Sequence, residues 1–133
     1  MNDSISTFLS SDAYAVLGAS SNREKFGNRV FRAILGSGRL AYPINPTATS
    51  VEGHAAFVSI VELPEVPDSI SIITPPKVTR ELVATAITAG VKNIWMQPGA
   101  QDEVASQSAR AAGLNVIDDG SCILVFLEQQ AQG

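Results

Sequence analysis

The chain has one cysteine, one histidine and one tryptophan among its 133 residues. The lone Cys122 excludes an internal disulfide, and no Cys/His spacing suits a structural zinc site. No apolar run approaches the ~20 residues that a membrane-crossing helix needs. The opening MNDSISTFLSSD lacks the basic start and apolar core of a secretory signal, so a cytoplasmic location is the default expectation. Charged residues make up only 17%, against 45% hydrophobic, a globular balance that excludes disordered and fibrous classes. At this length a single domain buries about two-thirds of its unfolded surface without metal or disulfide support.

Net charge is −4, which argues against nucleic acid or an anionic membrane as the general partner. The charge is unevenly spread. Arg23, Lys25, Arg29, Arg32 and Arg39 face a single acid, Glu24, within one segment, leaving it +4 while the remainder is −8. Lys25, Arg29 and Arg32 share one helical face, with Phe26, Val30, Ile34 and Leu35 on another. Such a face suits either solvent or a local anion.

Hydrophobic periodicity predicts strands over Ala13–Gly18, Leu40–Asn45, Ser69–Thr74, Asn93–Gln97 and Asn115–Asp118, with a short edge strand over Ala56–Ile60. Most are continuous apolar runs, as expected of parallel strands covered on both faces. Helices are predicted over Lys25–Leu35, Pro75–Ala89 and Gln101–Ala112, each closing near a glycine. The alternation specifies a single α/β domain with a doubly wound, mainly parallel sheet. Its expected bounds are residues 13–128, with a lead-in at 1–12 and a tail at 129–133.

Ligands of such sheets gather at the carboxyl ends of the strands. Four strand tips here carry unusual residues. After the first strand, Gly18-Ala19-Ser20-Ser21-Asn22 leads into a helix, where free N–H groups suit a phosphate or the residues simply make a turn. The spacing G-x-G-x-x-G is absent, and Asn45-Pro46 stands where a dinucleotide site places a ribose-binding acid. Thr74-Pro75-Pro76 reads as a helix cap followed by proline at the first helical position, or as a rigid apolar ledge. Gln97-Pro98-Gly99 offers an amide and close backbone approach, though turn chemistry also explains it.

Catalytic candidates are few. His54 lies in a loop without an obvious partner, Cys122 sits in an apolar run that suggests a buried inert thiol, and Asp118-Asp119 mark a turn.

The motifs VLGASSNREKFGNRVF, YPINP, ELPEVPDSISIITPP, AGVKNIWMQPGA, ARAAGLNVI and CILV, in this order, span Tyr14 to Val125. Together they resemble the small stand-alone CoA-binding proteins, whose domain is similar to the N-terminal CoA-binding domain of the succinyl-CoA synthetase α subunit. The resemblance implies a Rossmann-like sheet with the diphosphate of coenzyme A over the first turn, Gly18 through Arg23. It implies Asn45-Pro46 beside the adenosine end, Thr74-Pro75-Pro76 as the proline ledge and Met96 through Gly99 along the pantetheine. Arg29 matches a basic position of the first helix. Related domains often carry lysine near the NP loop, where Thr47-Ala48 stand here, leaving Arg23 and Lys25 as the candidates to meet the 3′-phosphate.

The resemblance supports binding of CoA or an acyl-CoA better than it supports catalysis. The expected role is a non-catalytic module, carrier or sensor. An NAD(P)-dependent oxidoreductase and a nucleotide-binding interaction subunit remain as alternatives, and a homodimer is a reasonable assembly on symmetry grounds.

Overall fold

The structure is a computed structural model, and it describes residues 3–132. A short helix α1 (Asp3–Phe8) precedes strand β1 (Ala13–Leu17), helix α2 (Phe26–Gly36) and strand β2 (Leu40–Ile44). A small hairpin follows, β3 (Ser50–Val51) and β4 (His54–Ala55), and then a 3₁₀ turn, Ile60–Glu62. The chain continues through β5 (Ser69–Ile72), α3 (Pro76–Ala89), β6 (Asn93–Met96), α4 (Glu103–Ala111), β7 (Asn115–Ile117) and α5 (Ile123–Gln132).

Five strands form one parallel sheet in the order β2-β1-β5-β6-β7. The order reverses between β1 and β5, which places the crevice of this Rossmann-like α/β domain at the tips of those two strands. Successive side chains of each strand enter opposite cores. Tyr14, Val16, Trp95 and Ile117 pack with α1, α2 and α5, while Ala15, Leu17, Ile70, Ile72, Ile94 and Met96 pack with α3 and α4. Burial on both faces accounts for the unbroken apolar runs. No helix of the described residues is long and apolar enough to cross a membrane.

All five long strands lie where hydrophobicity places them, each starting at the expected residue and ending one residue early, or two for β5. The expected edge strand over Ala56–Ile60 does not form. Phe57 makes one bridge to β2, donating its N–H to the Pro43 carbonyl and accepting from the Asn45 N–H, but Val58 turns outward. Ser59 then accepts from the Val61 N–H and starts the 3₁₀ turn, ending any extended run.

The polar opening sequence conceals α1, whose Ile5 and Phe8 are buried together with Leu9 just beyond it, at i, i+3, i+4 spacing. Phe8 meets the Trp95 indole edge-on at 5.3 Å, and Phe126 of α5 meets the same indole at 5.8 Å. Beneath α1, buried amides and hydroxyls close the amino ends of the strands. Asn93 Nδ2 donates to Ser69 Oγ at 3.0 Å, Ser69 Oγ donates to the Phe8 carbonyl at 3.1 Å, and Asn115 Nδ2 reaches Asn93 Oδ1 at 3.1 Å and the Ser4 carbonyl at 2.8 Å. Such a network is costly when one member is lost, since its partners stay buried. Asn93→Ala is expected to lower unfolding stability by about 1–3 kcal/mol, read from urea denaturation at neutral pH.

Candidate functional site

The site is built where three elements touch without side chains between them. Gly18 ends β1 with φ +97°, and a Cβ there would lie 2.1 Å from the Ile73 carbonyl oxygen beyond β5. Gly27, in the first turn of α2, has no room either: its Cβ would stand 2.0 Å from the Gly18 carbonyl oxygen. Both contacts are with backbone, so α2 sits directly against the turn only because these two residues are glycine.

Two asparagines hold the turn's carbonyls. Asn45 Nδ2 donates to the Ala19 carbonyl at 2.8 Å, while its Oδ1 accepts from the N–H groups of Thr47 and Ala48, each at 2.8 Å. Asn28, fully buried on α2, donates to the Ser20 carbonyl at 2.8 Å. Ser20 Oγ accepts from the Asn22 N–H and Asn22 Oδ1 from the Glu24 N–H, so these side chains shape the loop.

With its carbonyls fastened, the turn leaves donors facing outward. Lys25 caps α2 in an extended conformation, and no side-chain hydrogen bond covers the helix start. The N–H groups of Phe26, Gly27 and Asn28 have no intrahelical acceptor, and the first turn contains no acid. Phe26 and Gly27 border a cavity of about 340 Å³ lined also by Gly18, Ala19, Ser20, Lys25, Asn45 and Ile73. Ile73 also lines a second hollow of about 240 Å³ with Thr74, Pro75, Pro98, Gly99 and Ala100, so the two share one wall.

The expected residues therefore divide. Gly18, Ala19, Ser20, Lys25 and Asn45 line the first cavity, and Thr74, Pro75, Pro98 and Gly99 the second. Ser21, Asn22, Arg23, Arg29 and Pro46 are exposed and line neither. Arg23 pairs with Glu52 at 3.4 Å, whereas Lys25 and Arg29 have no ion-pair partner among the described residues. Met96 and Gln97 are fully buried; Gln97 donates to Ser71 Oγ and accepts from the Ile123 N–H. The helix cap falls one residue later than expected, at Pro75 with Pro76 first in the helix, and Thr74 Oγ1 instead shares a hydrogen bond with Thr79 Oγ1. Cys122 is partly rather than fully buried.

Gly27 and Asn28 escape a reading of the sequence. An asparagine in a helix's first turn, where its propensity is poor, was the available signal. A larger groove of about 610 Å³ between α2 and α5 lies away from the strand tips, beside the carboxyl end of α2, and Arg39 there is already bound to the Leu9 carbonyl and Gln130.

Residues 12–128 match the family described as CoA binding domain. The chain belongs to this family. Among the relatives of this CoA-binding-family domain is the alpha subunit of an ADP-forming acetate–CoA ligase II from Pyrococcus furiosus, 31% identical over 88 residues. That alignment covers 65% of this chain and 19% of the ligase subunit, so the chain spans about a fifth of that relative's length. A hypothetical protein from Pyrococcus horikoshii has the same fold with TM-score 0.89 and 28% identity, covering 98% of this chain and 91% of its own. The dinucleotide-forming acetyl-coenzyme A synthetase 1 of Ca. Korarchaeum cryptofilum, solved with phosphate and ADP, matches with TM-score 0.75 and 27% identity over 90% of this chain and 28% of its own.

An ion pair ties α3 to the start of α4. Asp102 caps α4 by accepting from the Ala105 N–H at 2.9 Å, and both its oxygens accept from the Arg80 guanidinium at 3.0 Å. The Arg80 hydrogen bonds, followed by that of Ala105, hold the Asp102 carboxyl below the usual carboxylate range. A carboxyl depressed in the folded state stabilises above its unfolded value, near 3.9, and loses that contribution as pH falls through the folded value. Asp102→Asn is expected to lower the urea midpoint at neutral pH, with the gap to wild type closing between about pH 5 and pH 2. Gly27→Ala is expected to cost roughly 1–3 kcal/mol in the same assay, because α2 must back away from the turn.

Proposed function

We propose that this chain binds coenzyme A or an acyl-CoA through the groove formed by the two hollows, with the diphosphate over Gly18–Ser20 and the start of α2. The observation that carries the reading is the uncapped first turn of α2 beside the unpaired Lys25, inside the segment matched by the CoA-binding family. Three free N–H groups, a positive helix end and a lysine suit a diphosphate. The second hollow, walled by Pro75, Pro98 and Ala100, suits the neutral pantetheine arm.

The role proposed is a non-catalytic one, as a carrier, sensor or partner of a larger enzyme. His54 packs edge-on against Phe31 at 5.6 Å and lines neither hollow, which favours binding over acid–base chemistry. The ligase and synthetase relatives are several times longer, in keeping with their chemistry residing in further segments.

Calorimetry against CoA, acetyl-CoA, ADP, pantetheine, NAD and NADP tests the reading. CoA and acetyl-CoA are expected to bind, ADP to compete and pantetheine alone to compete poorly. NAD binding tighter than CoA, or no CoA binding at all, overturns it. Lys25→Ala is expected to weaken CoA about five- to tenfold at low salt, with the loss shrinking as ionic strength rises.

A further inference from the structure

A trans peptide unit carries its C=O and its N–H on opposite sides, so whatever holds one sets the direction of the other. Asn45 holds the Ala19 carbonyl and thereby turns out the Ser20 N–H, while Asn28 holds the Ser20 carbonyl and turns out the Ser21 N–H. Neither N–H has an acceptor among the described residues.

Asn28 performs this task in only one of its two amide orientations. Its Nδ2 donates to the Ser20 carbonyl at 2.8 Å and to the Glu52 carboxylate at 3.1 Å, and its Oδ1 accepts from Arg32 Nε at 2.7 Å. Turned over, the amide oxygen would face a carbonyl and a carboxylate while the NH₂ group met a guanidinium. The anion on one side and the cation on the other therefore select the orientation that the turn needs. Asn28 is fully buried, so solvent offers it no substitute partner.

Glu52 reaches the amide from an unfavourable backbone. It is the first residue of the two-residue loop joining β3 to β4, with φ +50°, followed by Gly53 at +80°. Two left-handed residues in succession make the mirror-image hairpin turn, where asparagine or glycine fits with less strain than glutamate. The hairpin is seated on α2: Val51 is buried in the same core as Val30 and Phe31, and His54 stands edge-on to Phe31 at 5.6 Å. The carboxylate also pairs with Arg23 at 3.4 Å.

We infer that Glu52 is a positioning residue of the proposed diphosphate site, fixing the Ser20–Ser21 peptide through Asn28 so that its N–H is presented to the ligand. The inference rests on the proposed CoA reading and deepens it. Its sign is opposite to that of charge alone. Through space, a carboxylate two hydrogen bonds from the turn opposes an anion and also occupies Arg23, so its removal would tighten binding. Where orientation governs, its removal weakens binding.

Calorimetry with ADP and CoA on wild type, Glu52→Gly and Glu52→Gln tests this at about 0.05 M and about 0.5 M salt. Glycine removes the acceptor and the left-handed strain together, whereas glutamine keeps an acceptor for Asn28 and removes only the charge. Glu52→Gly is expected to lose about five- to tenfold for both ligands, which share the diphosphate, and to do so at either ionic strength. Glu52→Gln is expected to stay within about threefold of wild type. Glu52→Ala, which removes the acceptor without loosening the hairpin, is expected to match Glu52→Gly. Circular dichroism and thermal unfolding establish that the variants are folded. A tie that served stability alone would leave the turn's response to ligand unchanged, so heteronuclear NMR follows the Ser21 backbone amide during ADP titration. That signal is expected to shift in wild type and Glu52→Gln, and by less than about half as much in saturated Glu52→Gly. Glycine and alanine variants that bind as tightly as wild type or tighter, a glutamine variant as weak as they are, or an undiminished Ser21 shift overturn the inference while leaving CoA binding intact. Wild type that binds neither ligand overturns the functional reading and this inference together.

Discussion

The site depends on a contact between main chains. With Cβ atoms missing at Gly18 and Gly27, the end of β1, the carbonyl after β5 and the first turn of α2 come into direct touch. A helix start held this close to a strand end concentrates unsatisfied N–H groups in one place. The carbonyls that would otherwise neutralise them are turned aside by Asn28 and Asn45. The electropositive hollow is thus a by-product of how the backbone is seated, and the basic side chains add to a field already present.

Polar groups at the two ends of the sheet serve opposite purposes. At the amino ends, Ser69, Asn93 and Asn115 satisfy one another and the carbonyls of α1, leaving little for a ligand to meet. At the carboxyl ends, Asn45 and Asn28 satisfy acceptors and leave donors open. The open donors at the carboxyl ends are the ones that the proposed binding of a diphosphate would use.

Much of the fold was legible because its cause is local. The apolar runs at β1, β2, β5, β6 and β7 report burial on both faces, and that signal survives without tertiary information. The α1 helix was hidden because it is short and mostly polar, and only Trp95 reveals what Ile5 and Phe8 are for. At the site, Gly18 and the residues after it were visible as a turn between strand and helix. Gly27 was not, because its significance lies in an atom some nine residues back along the chain. Glu52 was hidden for the same reason: its partners Arg23 and Asn28 are distant in sequence, and a hairpin of two-residue strands leaves almost no periodic trace. Met96 is buried as the last residue of β6, and Gln97 just beyond it is buried between Ser71 and the start of α5, where the motif alone suggested a rim.

One indole joins the beginning of the chain to its end. Trp95 is wedged between Phe8 of α1 and Phe126 of α5, and its Nε1 donates to the Ser121 carbonyl just before α5. Two terminal helices that never follow one another in sequence are thereby buttoned to the same ring from the central region of the sheet. Near its beginning and its end the polypeptide is thus fastened to one aromatic clasp, to which Arg39 adds a second tie by bonding both the Leu9 carbonyl and Gln130.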